Sequence, residues 1–188
     1  MATEPHLGGY IEGGDENTWN PTLWRYLIEE LGVRSMLDVG CGEGRTVQFF
    51  HDLGVRAFGI DGVPQEQAGV ICHDFTEDRY WPLMCDEIPT RFDLVWSAEF
   101  VEHVEERFIP NYLPCFAAAP LVLMTHAVPG QHGHHHVSCF SRDYWRGVFA
   151  AIGFLIDDEL TERTRLLAAQ DESPLNYYSR TGLALRRT

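Results

Sequence analysis

Apolar residues along this chain fall into short blocks of two alternating kinds. One kind is a compact aliphatic run: Ser35-Met-Leu-Asp-Val39, Arg56-Ala-Phe-Gly-Ile60, Gly69-Val-Ile-Cys72, Phe92-Asp-Leu-Val-Trp96 and Leu121-Val-Leu-Met-Thr125. Runs this short and apolar read as strands of a mostly parallel sheet with both faces covered. The other kind has helical spacing. Asn20-Pro21 opens the first, with Leu23, Leu27, Ile28 and Leu31 on one face and Gly32 as its stop. A second runs from about Arg45 to Leu53, and a third, 104–118, contains Pro110 and Pro114 and is expected to be broken. Ser141 caps a helix through Ala151, a sixth strand follows at 154–157, a short helix covers about 160–169, and 175–186 supplies the last strand. Seven strands with interleaved helices predict an α/β fold, a doubly wound Rossmann-like sheet.

The 188 residues suit a single domain, with no repeat, linker or low-complexity tract. Residues 1–18, with Gly8-Gly9-Tyr10 and Gly13-Gly14, read as a mobile arm, and 76–90 as irregular chain around Trp81-Pro82 and Ile88-Pro89. No apolar run approaches the ~18 residues of a membrane span, and the first residues lack a signal-peptide pattern, so a cytoplasmic protein without a membrane partner is expected.

Charge narrows the partners. The formal net charge is −14, which opposes nucleic acid unless a local basic patch exists. Arg163, Arg165, Arg180, Arg186 and Arg187 are the only hint of one, and they read as solvated surface. The chain contains no lysine, which excludes a P-loop and Schiff-base chemistry. Five scattered cysteines without a C-x-x-C pair argue for reduced, mostly buried thiols.

The densest chemical signal is Asp38-Val-Gly40-Cys41-Gly42-Glu43-Gly44, where a buried strand runs into a glycine turn that opens a helix. Glycine lets a backbone turn tightly and lie flat against a ligand. The dinucleotide pattern G-x-G-x-x-G is not met, because Arg45 stands where its third glycine belongs. Asp38 and Glu43 would repel a pyrophosphate and favour a cationic ligand.

This stretch resembles the first motif of class I S-adenosylmethionine-dependent methyltransferases, and the similarity continues along most of the chain. The resemblance implies S-adenosylmethionine as cofactor, with Asp38 near its ammonium group and Gly40, Cys41 and Gly42 against it. Asp61, which closes the second strand in Ile60-Asp61-Gly62, sits 21 residues after Gly40, where a carboxylate accepts the ribose hydroxyls. A surface Asp-Gly turn is the plainer reading of that pair. Asp74 and Phe75 follow the third strand; in similar enzymes they receive the adenine amine and pack on its ring. A turn or helix-capping role for Asp74 stays open. The tail 176–186 resembles the family's closing antiparallel strand. The arm resembles a cofactor-covering segment, making Tyr10, Thr18 and Trp19 weaker candidates and leaving Trp24 to the core.

After the fourth strand comes Ser97-Ala98-Glu99-Phe-Val-Glu102-His103, similar to the family's fourth motif in its E-x-x-E-H branch. The resemblance places Ser97, Ala98 and Glu99 beside the transferring methyl. A helical start would put Glu99, Glu102 and His103 on one face. His103, with an ordinary pKa of about 6.5, suits a general base, or it braces the loop. The His-rich loop His126-Ala-Val-Pro-Gly-Gln-His132-Gly-His134-His135-His136 shares this sheet edge and is expected to roof an acceptor pocket, with His135 and His136 as catalytic candidates.

Small-RNA 2′-O-methyltransferases bind a divalent metal with an E-x-x-E-H set and a later histidine, and Glu99, Glu102, His103 and His136 resemble that set. The motif also occurs in relatives that use no metal. The expected protein is therefore a metal-free enzyme methylating an oxygen or nitrogen of a small molecule or sugar. The alternatives are the metal-dependent RNA 2′-O-methyltransferase-like enzyme, a cofactor-binding module without turnover, and, disfavoured by the glycine spacing, a nicotinamide oxidoreductase. The oligomeric state is not legible.

Overall fold

The computed structural model describes residues 5–7, 11, 13–77, 89–173 and 175–188. Tyr10, part of the expected arm, and 78–88, most of the expected irregular stretch with Cys85 in it, lie outside the described residues. The described chain forms β1 (Ser35–Val39), β2 (Arg56–Asp61), β3 (Val70–Cys72), β4 (Leu94–Ser97), β5 (Leu121–Met124), β6 (Phe154–Ile156) and β7 (Leu183–Arg187), with helices α1 (Pro21–Glu29), α2 (Arg45–Asp52), α3 (Ile109–Phe116), α4 (Arg142–Ala150), α5 (Asp158–Ala168) and α6 (Tyr177–Thr181).

The strands make one sheet in the order β3-β2-β1-β4-β5-β7-β6. The first five are parallel, and β7 is antiparallel to both β5 and β6. Alternate residues serve opposite faces, as a period of two requires. Leu37, Val39, Val95, Val122 and Met124 join α3 and α4 in one apolar cluster. Met36, Leu94, Trp96, Leu121 and Leu123 join α1, α2 and α5 in the other. Trp24 is fully buried, with its ring edge-on to Trp96, so it is core. Strand order reverses between β1 and β4, and it is outside the carboxyl ends of such a pair that open α/β sheets bind ligands.

Several expectations shift. The third helix starts only at Ile109, after a 3-10 turn at Glu106–Phe108; Pro110 falls in its first turn, and Pro114 lies inside without breaking it. The fifth helix begins at Asp158, because the Asp157 side chain accepts the Leu160 N–H. The last strand is shorter than 175–186: Asn176 caps α6, and pairing starts at Leu183. No helix covers 99–103; that segment is a bend and turn in which Glu99 has φ 52°. The four described cysteines are free but not mostly buried: Cys115 is buried, Cys41 and Cys139 are partly exposed, and Cys72 is exposed.

Candidate active site

β1 ends in the glycine turn. The N–H groups of Gly40 and Cys41 both donate to the Ile60 carbonyl, which ties the turn to β2. Gly40 has φ +78°, and a Cβ there would lie 2.6 Å from Phe100. Gly42 has φ +53° with nothing within 4 Å of a Cβ position. The first glycine serves packing, whereas the second leaves room for a ligand. Asp61 fixes the turn from the neighbouring strand, accepting the Gly42 N–H at 2.8 Å and the Val63 N–H at 2.9 Å.

A cavity of about 160 Å³ opens over this turn. Nine of the sequence-predicted cofactor residues line it: Gly40, Cys41, Gly42, Asp61, Gly62, Asp74, Phe75, Ala98 and Glu99. Asp38 and Ser97 do not. Both are buried beneath the floor, where the Ser97 hydroxyl donates to the Val39 carbonyl and so stitches β4 to β1. Thr18 and Trp19 line the cavity as expected. Arg45 holds that side of the arm, with its guanidinium over the Trp19 ring and a hydrogen bond to the Gly13 carbonyl. His6 and Leu7 close another side; the His6 Nε2 lies 2.8 Å from Asp74.

Electrostatics in this cavity favour a cation. Burial, then the neighbouring Asp61, raises the Asp38 carboxyl well above the usual range, against a hydrogen bond from Thr46. Burial also raises Asp61, opposed by its two backbone donors. Burial and the same two acids push the Cys41 thiol up. At Asp74 burial is outweighed by bonds from His6 and Thr76, and the net shift is downward. An ammonium or sulfonium ligand relieves the buried acids, and the lone pairs of Asp61 suit hydroxyl donors.

The acid-rich turn after β4 adjoins a second cleft, of about 700 Å³. The two cavities share Ile11, Asp15, Glu99 and His103. The Val137 and Ser138 N–H groups donate to the Glu102 carbonyl, and the Ser138 hydroxyl donates to the Val104 carbonyl. These bonds bring the His-rich loop onto the turn. The loop lines the second cleft from Val128 to His134 and at His136, opposite Tyr177 and Arg180. His126 is buried and held neutral by desolvation, so it braces the loop's base. His135 is not among the lining residues; it has φ 46°, and its ring lies 6.5 Å from that of His6.

Of the four residues weighed for a metal, the structure gathers three. Ligand atoms of Glu99, Glu102 and His136 all lie within 4.8 Å of one another. The His103 ring stands 5.1 Å from that of His136, nearly perpendicular to it. Burial, then His136, pushes His103 down to about 4, so it is neutral near pH 7 and a weak base, not the base of ordinary pKa that the sequence suggests. Sequence reading missed Thr46 and Thr125. Each stands just past the glycine turn or a strand end, but neither belongs to a motif that marks it.

Residues 37–111 match the family described as a methyltransferase domain. No curated protein matches the chain significantly. Among solved structures, the chain is similar to a SAM-dependent methyltransferase from Archaeoglobus fulgidus, at 18% identity over 94% of this chain and 96% of that one, with a TM-score of 0.60. It is also similar to the 1,6-didemethyltoxoflavin-N1-methyltransferase of Burkholderia thailandensis, at 14% identity over 98% and 84% of the two chains, TM-score 0.59. A third is magnesium protoporphyrin IX methyltransferase from Synechocystis PCC 6803, at 14% identity over 89% and 76%, TM-score 0.55. The matched stretch runs from β1 into α3, and the similarity to these structures is one of fold.

Proposed function

We propose that this chain is a class I methyltransferase that takes S-adenosylmethionine as methyl donor and methylates an oxygen or nitrogen of a small polar acceptor, of sugar or metabolite size, held in the cleft beneath residues 128–136. The observation that carries the reading is the junction of the two cavities at Glu99 and His103. Held against the glycine turn and Asp61, S-adenosylmethionine would supply an electrophilic methyl group on sulfonium sulfur. The protein's own contribution is alignment. Asp61 and the glycine turn hold the donor side. Tyr177, Arg180 and the loop histidines offer hydrogen bonds to the acceptor side, and Thr125 fixes Glu99 between them.

The basic residues near the C-terminus support a small acceptor over RNA. Arg163 lies over Tyr26, Arg165 donates to the Gly182 carbonyl, Arg186 pairs with Asp157, and Arg187 covers Phe154. Of the five, Arg180 alone lines the acceptor cleft, so they form no stripe for a phosphate backbone. The similar enzymes from B. thailandensis and Synechocystis are named for small-molecule acceptors, which agrees with this reading. Isotope-labelled S-adenosylmethionine offered with pooled small glycans and metabolites, and separately with RNA, tests it. Label is expected in the small-molecule fraction. Label confined to RNA, or none with any acceptor, overturns it.

The arm gives a second, smaller part of the proposal: the single domain spans 1–188, and the arm within 1–18 covers the cofactor. His6, Leu7 and Trp19 standing over the cavity support it.

A further inference from the structure

The acceptor cleft has an apolar rim. Seven large apolar side chains are exposed among the described residues, and three of them, Ile11, Val128 and Leu175, come from distant parts of the chain to line this one cleft. Exposed apolar residues scattered singly need no explanation, but a group gathered at a groove marks a surface that a ligand covers. A ligand polar on every side would leave that rim wet, whereas one with an apolar body covers it.

Charge in the same cleft is sorted by position. Its two carboxylates, Asp15 and Glu99, stand where it meets the cofactor cavity, which they also line. Both are engaged: Asp15 accepts the Asn17 N–H, and Glu99 accepts the Thr125 hydroxyl. Arg180 lines the acceptor cleft and not the cofactor cavity. It is exposed, with no ion pair, hydrogen bond or ring contact among the described residues, unlike the four other arginines near the C-terminus. Tyr177, Arg180 and Thr181 fall at i, i+3 and i+4 along α6, so they face the cleft together. A guanidinium is always charged and presents a fork of N–H donors that matches a carboxylate. A single cation in a chain of net charge −14 suits a monoanion, since a phosphate dianion would keep an unbalanced charge.

We propose that the acceptor is an amphipathic carboxylic acid: Arg180 holds its carboxylate, Ile11, Val128 and Leu175 cover its apolar body, and its methyl-accepting hydroxyl or amine points to the junction at Glu99. This rests on the function proposed above and names the class of acceptor. The carboxylate is the handle and not the methylated group, because Arg180 stands apart from the junction of the two cavities. The acids at the junction repel a carboxylate and the arginine attracts it, so the charge pattern also sets the orientation of the acceptor.

The test reads binding to the full chain by saturation-transfer NMR titration, with saturating S-adenosylhomocysteine and again without it. The probes are para-hydroxyphenylacetate, indole acetate and hydroxyoctanoate, each beside its primary amide, with glucuronate as an acid lacking an apolar body and phenyl phosphate as a dianion. At least one of the three acids is expected to bind about 10-fold or more tighter than its amide, the effect of a charge-assisted bidentate pair, and tighter than glucuronate. Arg180→Gln should abolish that preference, Arg180→Lys should restore part of it, and Leu175→Asn should weaken the acid and its amide alike. Equal binding of acid and amide, no binding of any acid, or tightest binding by glucuronate or phenyl phosphate overturns the inference. So does a preference unchanged in folded Arg180→Gln protein. None of these readings needs methyl transfer. Failure of S-adenosylhomocysteine to bind would instead overturn the methyltransferase reading and leave the comparison of acid with amide intact.

Discussion

Thr125 and Glu99 hold each other across adjacent strand ends. The Thr125 hydroxyl accepts the Glu99 N–H at 2.7 Å and donates to the Glu99 carboxylate at 3.0 Å. One hydroxyl therefore satisfies the backbone of a residue at φ 52° and aims its side chain. Thr125→Val keeps the shape but removes both bonds. Chemical denaturation should show a loss of about 1–3 kcal/mol, the cost of leaving buried partners unpaired. Thr125→Ser should retain most of the stability. Equal stability of the valine variant would show that the pair does not hold the turn.

Cofactor binding should depend on Asp61. Asp61→Ala removes a carboxylate that anchors the glycine turn and faces the cavity, and should weaken S-adenosylhomocysteine binding by about 1.5–3 kcal/mol, roughly tenfold to 150-fold. Calorimetry is the measurement. NAD should not bind, and tighter binding of NAD than of S-adenosylhomocysteine would contradict the assignment of the turn.

Asp38 sets a trade between stability and binding. Its folded pKa is raised, so below the unfolded value of about 3.9 it costs the fold nothing. As pH climbs from there to the folded value the charged form becomes increasingly costly, and above it the penalty is constant. Asp38→Asn should therefore raise the melting temperature of the ligand-free protein near pH 7 while weakening S-adenosylhomocysteine binding. Wild-type affinity should also rise with pH through the raised pKa, since ligand binding ionises the acid. Calorimetry in buffers of differing ionisation enthalpy would detect the released proton, and its absence would rule out a role for Asp38 in holding the cation.

The two adjacent loop histidines should separate. His136 lines the acceptor cleft, whereas His135 turns toward His6. His136→Ala should lower turnover by about 10²–10⁴-fold with cofactor affinity nearly unchanged. His135→Ala should change turnover by less than about threefold, as for a residue remote from the reacting atoms. Single-turnover kinetics beside cofactor titration makes the comparison. The reverse ranking would place the acceptor on the arm side of the loop.

Much of this site was legible because its parts end strands. The glycine turn, Asp61, Asp74 and Glu99 follow from where apolar runs stop, and runs of four or five residues mark those ends closely. Asp38 illustrates the limit. Its motif position was plain, but strand alternation turns its side chain under the floor, and sequence does not show that the cavity opens over Gly40 instead. The turn at 99–103 was misjudged because Glu99, Glu102 and His103 have helical spacing, whereas the bond to Thr125 favours a left-handed backbone at Glu99. The short α6 escaped notice because Leu175 and the two tyrosines after it carry strand propensity, and the cap at Asn176 outweighed it.

Under the proposed function, Cys41 lines the cavity that takes a compound able to alkylate thiols. The thiolate is the reactive form, so a cysteine of ordinary pKa lining a methyl donor's pocket would be exposed to slow self-methylation. Burial and the adjacent carboxylates keep Cys41 protonated at neutral pH, and its Sγ points to the Gly42 carbonyl. The same buried acids that would attract a sulfonium thus disarm a thiol lining its cavity, a built-in protection against an alkylating ligand.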